Sequence, residues 1–494
     1  MTPCLAIALA AALLASPAAA QDPLPASVQA ALDKAGVPAD ALAAMALPLG
    51  HRAPPWRHRA DVAMQPGSAM KLVTAVVALD RLGAHMTTRT RLLSAAPLQA
   101  GVLQGDLVLQ GGGDPDFGVA TLTPMLRRLR DDGVTTLAGN LVLDRTRYRP
   151  TRLDIGAPPF DAYPGRWWNI TPDALLFDGD KQRYDLAADA SRFEARMRPA
   201  LAGVRFDASQ LTLTDGSCDE WDAAWRTPLA IPDEQGVLIR WQGGFPRNCR
   251  EPEGMQLFDR NQLIALWFAQ IWRELGGQWR GGLREDVREG AAPDSARVLA
   301  EHRSRPWGEV LRPLMKTSDN TLTRLLFLEL GVPGMAAAPQ ARTLDIARDA
   351  VQRWFVERRI PAAGLVLDNG SGLSREERIS ALSLARLIQW TWASRFAPDL
   401  LMSLPVAGVD GTLRNRIKDS PATGVARLKT GTLRNVAALA GVAQDPQGRP
   451  WALVAIVNHD IGAGARPILD ALIDDFARHG PQRPMGVGPQ RQGP

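Results

Sequence analysis

Three short motifs, far apart in the chain, carry residue types that together can acylate a serine. They are Ser68-Ala69-Met70-Lys71, Ser318-Asp319-Asn320 and Lys429-Thr430-Gly431. Serine is a poor nucleophile at its ordinary pKa and needs a base beside it. Burial, or a second cation nearby, lowers the pKa of a lysine enough for it to act as that base. The motifs in this order predict a serine acyltransferase that uses lysine as its base.

The use of lysine in this chain supports that interpretation. Of the 57 Lys and Arg residues only six are lysines, and two of these, Lys71 and Lys429, lie in the motifs. Arginine keeps its proton in proteins, whereas a lysine can lose it. The chain therefore retains lysine at the two motif positions where a titratable or compact amine is needed.

The first motif is predicted to open a helix. Apolar residues recur with helical spacing from Ser68 to Leu82, and Gly83 follows them. A helix places Ser68 and Lys71, three positions apart, on one face. Its N-terminus offers N–H groups to a developing oxyanion. We expect Ser68 to be the nucleophile and Lys71 its base; taken alone, an ordinary N-cap serine and a solvated lysine remain the alternative.

The second and third motifs supply the partners. We expect Ser318 to relay a proton between Lys71 and the leaving amine, Asn320 to hydrogen-bond Lys71 and the substrate amide, and Asp319 to point away. Alone, Ser318 and Asp319 also fit simple helix caps.

The third motif closes a predicted strand. We expect Lys429 to supply charge, Thr430 to bind a substrate carboxylate, and Gly431 to let the substrate lie flat against the strand. The N–H groups of Thr432 and Ser68 would form an oxyanion hole. Alone, a strand that ends in a glycine turn is an equally good interpretation.

The remaining pattern predicts one α/β domain split by an insert. Residues 21–85 and 256–479 are assigned to the catalytic domain, and residues 86–255 to a β-rich region of two small domains. Helices are predicted at 26–35, 68–82, 260–275, 307–316, 321–330, 342–358, 381–393 and 469–478. Strands are predicted at Thr90–Leu93, Leu107–Gln110, Gly139–Leu143, Leu211–Thr214, 425–430, 435–443 and 451–457.

The two ends of the chain differ from the rest. The apolar run Leu5–Leu14, followed by the small residues Pro17–Ala20, predicts a signal peptide over residues 1–20 and a periplasmic location. The run is shorter than the ~20 apolar residues that a transmembrane anchor needs. Residues 480–494 are rich in Pro, Gly and Gln and are predicted to be a disordered tail.

Removal of the signal peptide leaves two cysteines, Cys218 and Cys249. An even pair in an exported protein predicts one disulfide, with two buried free thiols as the alternative. The six histidines show no ligand spacing, so we expect no metal and no cofactor. The pI of 9.4 comes with dispersed arginines and no binding motif, which argues against a nucleic-acid partner.

At this point the chain resembles the low-molecular-mass class C penicillin-binding proteins, the D-alanyl-D-alanine carboxypeptidase/endopeptidases. The trio of motifs is typical of serine β-lactamases and penicillin-binding proteins. Further strings carry the resemblance over nearly the whole mature chain: Gly105–Leu109, Gly113-Asp114-Pro115, Ser371–Arg375 and Leu404–Leu413. The last of these is the longest and most specific.

The resemblance implies a transpeptidase-like α/β domain, an antiparallel sheet with flanking helices, interrupted by a two-part insert. It implies cleavage of peptidoglycan stem peptides through an acyl-serine and inhibition by β-lactams. The chain departs from the family at Gly67, Asn369 and Ile170, where alanine, aspartate and an acidic residue are more usual. We expect the insert to shape substrate choice through Trp167, Trp168 and Phe177. Asp173 would be an acidic contact or a loop cap.

Two alternatives remain. A serine β-lactamase would need a glutamate that holds a hydrolytic water; Glu376 and Glu377 lie in the right interval but lack a Glu-x-x-x-Asn context, and a large insert is foreign to compact β-lactamases. A non-catalytic peptidoglycan-binding protein would not need both Lys71 and Lys429. The sequence leaves the oligomeric state open.

Overall fold

The computed structural model describes residues 22–156, 158, 160–161, 165–233, 236–280 and 287–481. The predicted signal peptide and nearly all of the predicted tail lie outside these residues. The helices are α1 (Ala26–Ala35), α2 (Lys71–Leu82), α3 (Val119–Asp131), α4 (Arg260–Glu274), α5 (Trp307–Thr317), α6 (Asn320–Glu329), α7 (Thr343–Glu357), α8 (Ala381–Trp392), α9 (Ala397–Ser403) and α10 (Arg466–His479).

None of the helices in the described part of the chain is long and apolar enough to cross a bilayer. The strands are β1 (Leu42–Pro48), β2 (Trp56–His58), β3 (Ala63–Met64), β4 (Arg89–Ser94), β5 (Leu98–Gln99), β6 (Val102–Leu103), β7 (Leu107–Gln110), β8 (Thr136–Leu137), β9 (Leu141–Asp144), β10 (Gln182–Ala188), β11 (Phe193–Arg198), β12 (Val204–Thr214), β13 (Trp225–Asp233), β14 (Gly236–Pro246), β15 (Arg250–Met255), β16 (Gln278–Trp279), β17 (Val287–Glu289), β18 (Arg297–Arg303), β19 (Ile379–Ser380), β20 (Arg427–Leu433), β21 (Val436–Gln444) and β22 (Pro450–Asn458).

The central sheet is antiparallel and has the strand order β2-β1-β22-β21-β20. Its inner strands are apolar on both faces because helices cover both faces. Met45 of β1 points to a core shared with α2 and α8, whereas its neighbour Ala44 points to a core shared with α1 and α10. Strand β20, which carries the third motif, lies at the end of this sheet.

A group of helices packs beside the central sheet. Helix α2 contacts α5, α6, α7 and α8, and α5 contacts α9. Residues 71–79 of α2 are all buried, since the helix runs through the middle of this core. The first motif is therefore anchored in the most enclosed part of the molecule.

The insert forms a second unit with its own core. Its inner half is the sheet β17-β9-β7-β4-β18, with the smaller sheet β16-β8-β6-β5 and helices α3 and α4. Its outer half consists of the sheets β11-β10-β15 and β12-β14-β13 around Tyr184, Trp241 and Phe245. The cysteines Cys218 and Cys249 are joined by a disulfide in this outer half, as the sequence predicts.

The far boundary of the insert differs from the prediction. Strands β16, β17 and β18 follow residue 255, yet they pair with β8, β9 and β4, and α4 packs into the same core. The insert therefore continues to Arg303 instead of ending at residue 255. An apolar period shows that α4 is an amphipathic helix, but it does not show which core the helix joins.

The predicted helices and the late strands agree with the structure to within a few residues. Helices α3 and α9 were not predicted: α3 lies within the stretch that was interpreted as β-rich, and α9 has only 7 residues. The insert is thus β-rich in its outer half and mixed α/β in its inner half.

Candidate active site

The first and third motifs touch each other. Ser68 lies in a 3-10 turn, Gly67–Met70, that leads directly into α2. Gly67 has φ +51°, and a Cβ added there would lie 3.1 Å from the backbone N of Thr432. A Cβ on Gly431 would collide with the Pro66 carbonyl. Glycine at both positions therefore lets the turn that carries Ser68 lie directly against the end of β20.

Lys71 is fully buried and makes three hydrogen bonds. Its Nζ lies 3.1 Å from Ser68 Oγ and 2.6 Å from Asn320 Oδ1, and it donates a short hydrogen bond to the Ser371 carbonyl. All three partners are neutral. These hydrogen bonds bring Ser68, Asn320 of the second motif and the loop around Ser371 together at one nitrogen.

The surroundings of Lys71 make it titrate near neutrality. Burial lowers the pKa of Lys71 to about 7, against a weaker opposing attraction from Asp319 and Glu377. Removal from water disfavours the charged amine, and these carboxylates are too weakly coupled to restore it. A lysine with this pKa is half neutral at pH 7 and can accept a proton from Ser68.

The second motif bridges α5 and α6. Ser318 ends α5 with a left-handed backbone (φ 60°), and Asp319 caps α6 by accepting from the N–H of Leu322 (2.9 Å). The other oxygen of Asp319 faces Lys181 Nζ at 3.9 Å. Asp319 thus points away from the site, and the left-handed residue turns Ser318 into it.

Asn320 links the insert to Lys71. Its Oδ1 accepts from Lys71, and its Nδ2 donates to the Trp168 carbonyl of the insert (3.0 Å). The expected hydrogen bond between Asn320 and Lys71 is present, and the bond to the substrate amide remains a prediction.

Lys429 is the second buried amine. Its Nζ donates to Ser318 Oγ (2.9 Å) and to the Thr430 carbonyl (2.8 Å). Burial holds the pKa of Lys429 well below its usual value, and the charge of Lys71 lowers it further. The hydrogen bond of Ser318 found among the described residues runs to Lys429 and not to Lys71, so the expected relay position is occupied by the second lysine.

Two groups of the site were not predicted. The Ser371 carbonyl contacts Lys71, and the Thr412 hydroxyl lies 2.8 Å from the Thr430 hydroxyl. Both residues belong to strings that carry the family resemblance, which was the available signal. A backbone carbonyl has no side-chain identity, so its role could not be read from the residue type.

The insert contributes fewer exposed contacts than predicted. Phe177 is buried, and Asp173 is buried in contact with Arg145, so neither can contact substrate directly. Asp173 also accepts from the N–H of Leu175 (2.7 Å), which is the loop-cap role that the sequence analysis left open. Ile170 is also buried. Trp167 is 38% exposed and remains available. The sequence analysis placed Asp173 and Phe177 on the substrate side because of their residue types. Packing decides whether a side chain is exposed, and here it buries both.

The arrangement has the parts for acyl transfer. Ser68 and Ser318 are half-buried, Thr432 is exposed, and the two amines lie behind them. Among the described residues, no group of three His, Cys, Asp or Glu side chains is placed to hold a metal ion. The groups available for chemistry are therefore the hydroxyl of Ser68 and the buried amines of Lys71 and Lys429.

Comparison with known proteins agrees with this geometry. Residues 24–479 match the D-Ala-D-Ala carboxypeptidase 3 (S13) family. A D-alanyl-D-alanine carboxypeptidase of Actinomadura sp. is 30% identical over 85% of this chain and 78% of its own. The D-alanyl-D-alanine carboxypeptidase DacB of Haemophilus influenzae is 26% identical over 80% of each chain.

Solved structures show the same fold. Penicillin binding protein 4 of Haemophilus influenzae matches with a TM-score of 0.73 at 21% identity, over 92% of this chain and 99% of that one. The fold class and the family resemblance predicted from the sequence are confirmed. The chain belongs to the D-Ala-D-Ala carboxypeptidase 3 (S13) family and is a serine-type D-Ala-D-Ala carboxypeptidase, a hydrolase.

Proposed function

We propose that the enzyme works through an acyl-serine on Ser68, cleaves peptidoglycan stem peptides as both carboxypeptidase and DD-endopeptidase, and is inhibited by β-lactams. One observation carries the proposal: a fully buried lysine whose pKa is lowered to about 7 lies 3.1 Å from the hydroxyl of Ser68. A merely structural lysine gains nothing from burial without a carboxylate partner.

The acylation step follows from the contacts of Lys71. A neutral amine has two N–H groups and one lone pair. Asn320 Oδ1 and the Ser371 carbonyl accept the two N–H groups, which directs the lone pair at Ser68 Oγ. Lys71 takes the hydroxyl proton as Oγ bonds to the carbonyl carbon of the penultimate D-Ala. The C–N bond to the terminal D-Ala then breaks. Its amine takes up the proton that Lys71 removed from Ser68, passed on through the Ser318 hydroxyl, and Lys71 is neutral again.

Deacylation returns the enzyme to its starting state. Water attacks the acyl carbon, Lys71 accepts a proton of that water, and Ser68 leaves with a proton. The N–H groups of Ser68 and Thr432 stabilise the oxyanion in both halves. Lys429 and the Thr430 hydroxyl bind the terminal carboxylate of the substrate. The position of β20 at the end of the sheet supports this, since a peptide can lie alongside a terminal strand.

Two observations favour this reading over a β-lactamase. Glu377 is buried and accepts four backbone N–H groups, so it is not free to hold a hydrolytic water, and Glu376 is exposed. The Haemophilus penicillin binding protein 4, which shares the fold, has been crystallised with a β-lactam. We expect penicillin to form a stable adduct with Ser68 and to be released slowly.

Endopeptidase activity is proposed from the groove beside the second motif. A groove of about 470 Å³ is lined by Trp167, Lys181, Arg183 and Glu253. Lys181 pairs with Asp319, so this groove begins next to Ser318. With two cations and two carboxylates, Asp178 and Glu253, the groove suits the mixed amine and carboxylate charges of a cross-linked peptide, which a short substrate would not reach.

The deciding experiment is intact-mass analysis after treatment with benzylpenicillin. The wild-type protein should gain the mass of one penicillin, and Ser68→Ala should gain none. An adduct on Ser68→Ala would overturn the assignment. Trp167→Ala should weaken the cleavage of cross-linked muropeptides while penicillin acylation is retained; equal loss of both, in a folded variant, would place the insert in the catalytic machinery.

We further propose that the enzyme acts in the periplasm. The apolar run Leu5–Leu14 and the disulfide between Cys218 and Cys249 support export to an oxidising compartment. Fractionation of cells that produce the full chain should recover the mature protein, cleaved near Gln21, from the periplasm. Recovery of uncleaved protein in the cytoplasm would contradict this.

A further inference from the structure

The carboxylate of Glu377 organises a loop of the site. Glu377 is fully buried, and its two oxygens accept hydrogen bonds from four backbone N–H groups of residues 368–372. Oε1 accepts from the N–H groups of Asp368 (3.2 Å), Asn369 (3.1 Å) and Gly370 (2.7 Å), and Oε2 accepts from that of Gly372 (2.8 Å). A single side chain thus satisfies almost every N–H of this loop.

This loop lies directly against the nucleophile and its base. The Ser371 carbonyl accepts from Lys71 Nζ, and the Gly370 carbonyl accepts from the Thr74 hydroxyl of α2 (2.7 Å). A Cβ added to Gly372 would lie 2.6 Å from the backbone N of Ser68 and would collide with the preceding carbonyl. Any shift of the loop is therefore transmitted to Ser68 and Lys71.

We propose that Glu377 is a positioning residue that sets the orientation of Lys71 through the Ser371 carbonyl. The proposal rests on the function proposed above, in which Lys71 is the base. A neutral Lys71 points its lone pair at Ser68 only while both of its N–H groups have fixed acceptors. Asn320 is one acceptor, and the loop held by Glu377 supplies the other.

Glu377 also acts on Lys71 through its charge. Its attraction raises the pKa of Lys71 and partly offsets the effect of burial. Burial raises the pKa of the Glu377 carboxyl, and the N–H groups of the loop limit that rise. The other charged groups that face this pair are Asp319 and Arg324 of the second-motif region, Lys429 of β20 and Asp368 of the loop itself. Removal of the Glu377 charge should therefore lower the pKa of Lys71.

The test is the pH profile of penicillin acylation in Glu377→Gln. The acylation rate is measured by rapid mixing, acid quenching and mass analysis of the intact protein. The amide keeps the size of the carboxylate but directs an NH₂ group at the N–H of Gly372. We expect the acylation rate to fall about tenfold, the worth of one hydrogen bond to a charged group. We also expect the acid limb of the profile to move to lower pH.

Two variants serve as controls. Glu376→Gln removes the same charge from the neighbouring exposed residue and should leave rate and profile unchanged. Glu377→Asp keeps the charge but shortens the side chain, so acylation should slow while the acid limb stays in place. If Glu377→Gln does not fold, Glu377→Asp alone carries the test, and a rate equal to that of wild type in folded protein overturns the proposal.

The outcomes separate the two proposals. A folded Glu377→Gln variant with the wild-type rate, or with a reduced rate and an unshifted acid limb, overturns the role of Glu377 and leaves Ser68 and Lys71 untouched. A wild-type protein that forms no penicillin adduct on Ser68 overturns the proposed function itself. A slower Glu377→Gln with a shifted limb, beside an unchanged Glu376→Gln, supports the positioning role.

Discussion

The buried cations of the active site and those of the insert meet opposite surroundings. In the site, Lys71 and Lys429 contact only hydroxyl, amide and carbonyl oxygens, and no ion pair found among the described residues includes either lysine. In the insert, Arg145 and Arg260 are equally buried, but both contact the carboxylate of Asp173. Within the described residues, the active site leaves its amines without a carboxylate partner, whereas the insert pairs its guanidinium groups with carboxylates.

The paired cluster of the insert is dense. Arg145 Nε lies 3.0 Å from both oxygens of Asp173, and Arg260 lies 3.1 Å from Asp173 and 2.6 Å from Asp180. Arg260 also donates to the backbone carbonyls of Thr171 and Pro172, which follow the Trp167–Ile170 segment. The cluster therefore fixes the part of the insert that reaches the second motif.

The difference teaches what each cation is for. Arginine does not lose its proton in proteins, and carboxylate partners stabilise its charge, so the insert cluster is a fixed ionic bond. Lysine can be neutralised by burial alone, and the absence of a carboxylate partner keeps its pKa low. Replacement of lysine by arginine in the active site should therefore nearly abolish acylation. Removal of one member of the buried ion pairs in the insert should lower the free energy of unfolding.

The largest expected effect is that of Lys71→Arg. Arginine keeps the charge but cannot act as a base, and a general base contributes about 10²–10⁴-fold in rate. We expect penicillin acylation of Ser68 to fall by about that factor in folded protein. The matched control is Lys34→Arg on the exposed face of α1, which should acylate normally. Near-wild-type acylation by Lys71→Arg would exclude the lysine-base mechanism.

The next effect concerns the insert. Arg260→Met leaves Asp173 and Asp180 buried without one of their cations, and such a loss costs about 3–5 kcal/mol. We expect that decrease in the free energy of unfolding, measured by urea denaturation of the insert. Arg128→Met breaks an exposed pair with Asp132, 2.9 Å apart, and should cost less than about 1 kcal/mol. Equal costs for the two variants would contradict the role assigned to the buried cluster.

The disulfide should stabilise the insert somewhat less than the buried ion pairs of Arg260 do. Cys218 and Cys249 are 31 residues apart, and closing a loop of that size stabilises by about 3–4 kcal/mol in the chain-entropy model. The double variant Cys218→Ala/Cys249→Ala should lose stability by that amount and still be acylated by penicillin, because the bond lies away from Ser68. Loss of acylation in a folded double variant would show that the outer half of the insert affects the geometry around Ser68.

The smallest effect is the dependence on pH. The pKa of Lys71, lowered to about 7, means that the neutral base predominates above pH 7 and is protonated below it. Acylation by penicillin should therefore level off above pH 7 and fall about tenfold for each pH unit well below it. The rate is measured at fixed penicillin concentration from pH 5 to 8.5. A flat profile across this range would mean that Lys71 is not the titrating base.

Much of the fold follows from local pattern. The spacing of apolar residues predicts α1, α8 and the final strands nearly residue by residue, since each buries one side against a neighbour. It failed for α3, which lies in a stretch interpreted as β-rich, and for the end of the insert, where α4 joins a core formed by earlier strands. Periodicity reports that a face is buried and does not identify the partner that buries it.

The site divides in the same way. The sequence by itself determined the candidates for the chemistry, Ser68, Lys71 and Lys429, because a serine and two lysines in these motifs suit a lysine-based acyl transfer. It also predicted that the two cysteines of the mature chain pair, and the structure joins them in a disulfide. These are properties of side-chain identity, which a sequence states directly.

Only the tertiary structure decided how those side chains are tuned. Burial sets the pKa of Lys71, the Ser371 carbonyl and Glu377 set its surroundings, and packing hides Phe177 and Asp173 from the substrate side. The burial of a side chain, its backbone hydrogen-bond acceptors and its orientation depend on which distant segments of the chain pack together. The residue types alone do not specify that packing.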